Sequence, residues 1–188
     1  MKNNFIRLAG VLFIIAAVSA GVLAWLNDAT KDLIAQNDLS ASMSPEVIQL
    51  VAPGANTFAP YEDTALVDSI KAENAKFIDL LTAVDGSGNS MGYVVQTLST
   101  EPGYKGDMEL YIGIGLDGKI TGLSVIAHNE TSGLGTRTTE PEFMNQFVGN
   151  DASAEVVEFD VISGVTKSSN SFVSAVNNAI SVYSQYLK

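Results

Sequence analysis

The chain contains no cysteine. It can therefore form no disulfide, no thiolate-ligated iron–sulfur cluster, no c-type haem attachment and no lipid-modified cysteine, so any redox group must be held by other side chains. Histidine occurs once, as His128. A lone histidine without a partner cluster argues against a metal site or a nucleophilic triad, and its plain reading is a satisfied polar residue. Positive charge is also scarce, with ten Lys and Arg against twenty-one Asp and Glu. Lys2 and Arg7 fall in the first 26 residues, which hold no acid, so the remainder carries eight basic against twenty-one acidic groups, a net charge of −13. Such a surface repels phosphates, and no basic cluster with interleaved aromatics appears, which argues against nucleic acid as a partner. No internal repeat and no low-complexity tract stands out.

What the chain does have is one long apolar run. Residues 8–26 are all apolar or small, and Trp25 falls at the far end of the run, where an interfacial aromatic belongs. The run predicts a single membrane span. Val18-Ser19-Ala20 would suit a signal peptidase, so a cleaved leader is the alternative, although the apolar run continues past that site. Both readings put the rest of the chain outside the cytoplasm, because the basic residues precede the run and Asp28 and Asp32 follow it. The expected organisation is a cytoplasmic N-terminus (1–7), a transmembrane helix (8–26), a juxtamembrane helix and linker (27–74) and an extracytoplasmic domain (75–188). No Asp, Glu, Lys or Arg interrupts residues 8–26, so the span by itself offers no ion path.

Periodicity predicts an α+β domain. Residues 27–51 read as a helix leaving the membrane, with Leu33, Ile34, Met43, Val47 and Leu50 as apolar contacts and a fresh start at Pro45. Residues 56–74 are acidic and aperiodic, a loop with short elements, in which Phe58 and Tyr61 are possible pins. Residues 76–84 and 91–98 read as strands joined by the Gly-rich turn 85–89. A second pair, 109–115 and 119–127, flanks Asp117-Gly118, with Leu110, Ile112 and Ile114 alternating toward one face. These strands should form one antiparallel sheet. Pro141 opens a short helix over 142–148 that presents Phe143 and Phe147 to the core. Residues 154–159 read as a strand, and Phe172, Val176, Ile180, Tyr183 and Leu187 mark one face of a last helix.

Three polar stretches remain. The first is Asp160-Val161-Ile162-Ser163-Gly164-Val165-Thr166-Lys167-Ser168-Ser169, at the predicted strand-to-helix junction. Its hydroxyls read as ordinary N-caps, Gly164 permits a turn or a close backbone approach, and a helix N-terminus favours a bound anion such as phosphate. A glycine turn before a capped helix is the bland alternative. The second is His128-Asn129-Glu130-Thr131-Ser132-Gly133-Leu134-Gly135-Thr136, which reads by itself as a strand-exit turn. The third, Gly103-Tyr104-Lys105-Gly106, reads as a turn with Lys105 as a solvated charge.

The order Asp160-x-x-Ser163-Gly164-x-Thr166 resembles the flavinylation motif of the RnfG/NqrC family of FMN-binding domains. The resemblance implies that Thr166 carries one FMN through a phosphoester. An ApbE-type transferase would install it from FAD and recognise Asp160, while Ser163, Gly164, Val165, Ser168 and Ser169 would bind the cofactor around the acceptor. A hydroxyl needs a base or a metal to become nucleophilic, and this stretch supplies neither, in keeping with a separate metal-using enzyme. Val165 stands where the family has Ala, placing two extra methyls beside the acceptor. The second stretch resembles the family's His-x-Glu-Thr-Pro-Gly-Leu-Gly loop, with Ser132 in place of Pro. That likeness implies that Glu130, Thr131, Gly133, Leu134 and Gly135 lie beside the flavin, with Leu134 on the isoalloxazine face. The third stretch is similar to the family's glycine-rich segment.

The resemblance is closest to the G subunit of the Rnf complex, which moves electrons between ferredoxin and NAD while translocating Na⁺ or H⁺ together with other membrane and iron–sulfur subunits. On that reading the chain is a membrane-held electron relay that is not catalytic alone. Three alternatives stand beside it. One is the C subunit of the Na⁺-translocating NADH:quinone reductase, one a stand-alone extracytoplasmic FMN electron-transfer protein, and one an anchored module holding a small anion without a covalent bond.

Overall fold

The computed structural model describes residues 7–26 and 43–188 of the chain. The first described segment is one helix, α1 (Arg7–Leu26). Its length at 1.5 Å per residue matches a hydrocarbon core of about 30 Å. Lys2, Asp28, Asp32, Leu33 and Ile34 lie outside the described residues.

Met43–Lys188 is one compact unit. It begins with α2 (Pro45–Val51), where Ser44 is the N-cap and its hydroxyl accepts from the Val47 N–H at 3.4 Å, so a helix does start at Pro45. Five strands follow: β1 (Thr57–Pro60), β2 (Phe77–Val84), β3 (Ser90–Leu98), β4 (Glu109–Gly115) and β5 (Ile120–Ala127). They pair antiparallel in the order β1-β2-β3-β4-β5, so spatial and chain order coincide. The predicted hairpins and the single antiparallel sheet are present. Residues 56–74 hold more structure than their composition predicts, namely β1 and the ten-residue α3 (Thr64–Glu73). Asp63 caps α3 by accepting from the Leu66 N–H at 3.0 Å, and only Val67 and Ile70 are fully buried, too sparse a stripe to show as periodicity. β1 is an edge strand ending at Pro60, where a missing N–H costs no ladder bond.

The sheet is covered on both faces. On one, Leu80, Val95, Leu110, Ile112 and Leu123 meet α5 (Thr166–Tyr186), the short helix α4 (Pro141–Met144) and the 3₁₀ turn that continues it. Phe143, Phe147 and Phe172 stack within 5.3–5.5 Å of one another in this core. On the other face, Leu81, Val94 and Tyr111 meet Ile48 and Val51 of α2 and Phe58 of β1. Gly113 and Gly122 are register partners beneath the end of α2, and a Cβ on either would collide with the Val51 or Leu50 carbonyl. Backbone therefore rests on backbone there. This corrects the expectation for Leu50: its carbonyl makes the contact and its side chain is exposed.

The predicted strand over 154–159 is absent. The segment has no ladder partner and is held by side-chain amides instead. Asn177 accepts from the Val156 N–H at 2.8 Å and donates to its carbonyl at 3.1 Å. Gln146 accepts from the Asp160 N–H at 2.8 Å. The Val and Phe that suggested a strand are the residues of an extended tether, with Phe159 packed on Phe147 at 6.3 Å.

Candidate functional site

Gly164, at φ +80°, turns the tether into α5. The N-cap of α5 is Val165, whose side chain is buried and cannot cap. Its carbonyl accepts the first helical bond, from the Ser169 N–H at 3.0 Å. The N–H groups of Thr166, Lys167 and Ser168 have no acceptor among the described residues. The expected capping by Ser or Thr does not occur, because Thr166, Ser168 and Ser169 lie inside the helix and Ser163 stands two residues before the N-cap position. Ser169 is buried and donates back to the Val165 carbonyl at 3.1 Å, and the nearly buried Ser168 donates to Glu130 Oε2 at 2.7 Å. Thr166, the first helical residue, is exposed.

The second stretch leaves β5 and doubles back beside this helix end. Thr131 O accepts from the Leu134 N–H at 3.1 Å, the Gly133 N–H bonds Thr136 Oγ1 at 2.9 Å, and Gly133 adopts φ +74°. A 3₁₀ turn, Gly135–Thr139, follows, with Thr138 Oγ1 donating to the Gly135 carbonyl at 2.8 Å. The tight loop leaves 55% of Leu134 in solvent. His128 accepts from the Glu130 N–H through Nδ1 at 3.2 Å, a local role.

Between the loop and α5 lies a cleft of about 340 Å³. Glu130, Thr131, Leu134 and Gly135 line one side, Gly164, Val165, Lys167 and Ser168 the other, and Tyr104 the rim. Seven of the residues expected from the sequence thus meet around one space. Thr166 stands between two lining residues, whereas Ser163, Ser169 and Gly133 are not part of the wall. Asp160 lies in a separate groove of about 210 Å³ with Arg137, Glu140 and Gln146. Lys167 and Tyr104 lie in stretches noted in the sequence, but the motifs give neither a role, and the structure places both at the cleft. Lys167 adjoins Thr166, and Tyr104, 68% exposed in a glycine-bounded turn, is the kind of aromatic that signals a binding rim.

The cleft suits a ligand with one anionic and one flat apolar end. Its volume is within the usual 300–1,000 Å³ for small-molecule sites. Three unpaired N–H groups and the positive end of a 21-residue helix favour phosphate, and Lys167 adds a charge. Leu134, Val165 and Tyr104 supply apolar surface.

Residues 103–181 match the FMN-binding domain family, and residues 1–44 match the RnfG N-terminal region. The G subunit of the Na⁺-translocating ferredoxin:NAD⁺ oxidoreductase complex of Acetobacterium woodii is 33% identical, with 97% of this chain and 93% of that protein covered. The chain belongs to the G-subunit family of ion-translocating oxidoreductase complexes. Another member, the G subunit of the ion-translocating oxidoreductase complex of Methanosarcina acetivorans, is 33% identical over 90% of this chain and 89% of its own length. Among solved structures, NqrC of Shewanella oneidensis is 23% identical, covers 55% of each chain and has a TM-score of 0.45. The C subunit of the Na⁺-translocating NADH-quinone reductase of Parabacteroides distasonis is 23% identical, with a TM-score of 0.48, over 65% of this chain and 67% of that one. Within the G-subunit family member described here, both walls of the cleft fall inside the matched FMN-binding domain.

Proposed function

We propose that the protein is the electron-carrying G subunit of a membrane-bound ion-translocating ferredoxin:NAD oxidoreductase, and that it relays electrons through one FMN joined to Thr166 by a phosphoester. One observation carries the reading: an exposed threonine opens an uncapped helix at the edge of a cleft whose walls lie in an FMN-binding domain. FMN, when bound, supplies the redox chemistry, and the protein positions it and tunes its potential. The N–H groups of Thr166, Lys167 and Ser168 and the Lys167 ammonium would offset phosphate charge. Gly164 lets the backbone come close, and Leu134 and Tyr104 would keep water from the ring. Ser168 and Ser169 are poor alternative acceptors, because both are buried with their hydroxyls engaged.

Ion translocation falls to other membrane subunits, since α1 has no ionisable residue beyond Arg7 at its start. Iron–sulfur subunits exchange electrons with the flavin. An ApbE-type transferase matures the protein, and Asp160, in its own groove, is open to it while the cleft is filled. The orientation is N-terminus inside and flavin domain outside. The test is the intact mass of protein made with the transferase. It should exceed the bare chain by one FMN less one water, Thr166→Ala should abolish the increment, and Ser163→Ala or Ser169→Ala should retain some. Flavin found on Ser168 or Ser169 overturns the assignment. Co-purification with iron–sulfur subunits from native membranes separates this reading from a stand-alone carrier.

A further inference from the structure

The Glu130 carboxylate is held on both sides. Oε1 accepts from the Tyr104 N–H at 2.7 Å, and Oε2 accepts from Ser168 Oγ at 2.7 Å. Segment 103–106, closed on itself by the Gly103 N–H to Gly106 carbonyl bond at 2.7 Å, is thereby joined to the first turn of α5 through a third segment. Two glycines make room for it. A Cβ on Gly103 would collide with Oε1, and one on Gly135 would collide with Oε2. Among the described residues the ion pairs are Lys71–Asp79 and Lys76–Asp107, so Glu130 has no cationic partner within 4.0 Å. The carboxylate is half-buried, and both of its bonds come from neutral groups, a backbone amide and a hydroxyl.

We propose that Glu130 is the positioning residue of the cleft: its carboxylate ties segment 103–106 and the start of α5 to the loop 128–136 and so sets the cleft's width, and its negative charge lowers the potential of a flavin bound there. The tie stands on geometry alone. The effect on potential rests on the FMN reading. Electrons entering a ring beside a fixed negative charge raise its energy, and the low-dielectric wall weakens screening of that repulsion.

Two measurements on the full-length chain in detergent test the halves separately. The first uses protein made without transferase and follows amide exchange. Glu130→Ala should raise exchange roughly tenfold across 103–106 and 131–136, as loss of a charge-assisted hydrogen bond does. Glu130→Gln should preserve most protection, because its amide oxygen accepts from Tyr104 and its NH₂ donates to Ser168. Gly103→Ala, which lies outside the cleft wall, should reproduce the Glu130→Ala pattern by displacing the carboxylate. If Glu130→Ala does not fold, Ser168→Ala, which removes one of the two bonds, decides. Unchanged exchange at both segments overturns the tie. The second uses flavin-loaded protein. Glu130→Gln should leave the flavin circular dichroism nearly unchanged while raising the midpoint potential by about 30 mV, a tenfold change in a two-electron equilibrium. An unchanged potential overturns the charge effect, and a protein that takes up no flavin fails the FMN reading while leaving the exchange result intact.

Discussion

Leu134 spends its side chain in an unusual way. With 55% of its surface in solvent it contributes little to the core, yet the turns on either side of it hold it at the cleft wall. Leu134→Ala should therefore change stability by less than about 1 kcal/mol in a denaturant titration, and in flavin-loaded protein it should shift absorbance and potential. A large stability loss would show that the loop is built for folding. Asp85 is the converse case, a local staple with no part in the cleft. The Asn89 side chain, followed by the backbone N–H groups of Asn89 and Ser87, holds its carboxyl below the ordinary 3.8. Oδ1 accepts from the Ser87 N–H at 2.8 Å and the Asn89 N–H at 2.9 Å, and Oδ2 from Asn89 Nδ2 at 3.0 Å. Because the folded value is depressed, the contribution is complete above the unfolded value near 3.9 and is lost as pH falls through the folded one. The denaturation midpoints of wild type and Asp85→Asn should differ at neutral pH and converge only as pH falls through the depressed folded value of Asp85. The proposed attachment at Thr166 rests on a fixed order of residue types, Asp160 to Thr166, that is legible in the sequence. The tie at Glu130 is not, since residues 26 and 38 positions away supply its partners.

Among the elements, the hairpins were the most legible. Their turn residues fix where the chain reverses, and alternation of Leu110, Ile112 and Ile114 declares a buried face. Residues 154–159 misled because Val and Phe favour any extended conformation, whereas what decides between strand and tether is the partner. That partner is a pair of amide side chains on α4's continuation and α5, which no local pattern reveals. Asn177→Ala removes both bonds to Val156 at once. It should destabilise the domain by about 1–3 kcal/mol and open the segment to proteolysis between 154 and 160. Resistance equal to wild type would show that the Phe159 contact alone suffices. The helix α3 was missed for the opposite reason: its cap at Asp63 was in plain view, but a stripe of two fully buried residues carries almost no periodic signal.

For the whole molecule, both hydrophobic cores among the described residues are built from the unit Met43–Lys188. A chain reduced to 43–188 should therefore fold in water and melt within a few degrees of the full-length protein, by circular dichroism. A molten or aggregated product would mean that residues outside this unit complete the fold. The α+β class followed from periodicity, but the two-sided cover of the sheet did not. Gly113 and Gly122 lie on neighbouring strands, and only their pairing makes a landing place for α2.

Strand order equal to chain order has a consequence for biosynthesis. As the chain is synthesised from its N-terminus, each new strand finds its neighbour already in place, and no loop must be threaded. The face of Leu80, Val95, Leu110, Ile112 and Leu123, however, waits for α5, which follows every strand. Until then a nascent chain presents an apolar sheet face covered only in part, by α3, α4 and the 3₁₀ turn that continues it. The helix that opens at Thr166 is thus also the one that ends that interval, so a premature stop within α5 leaves a sticky intermediate rather than a shorter domain.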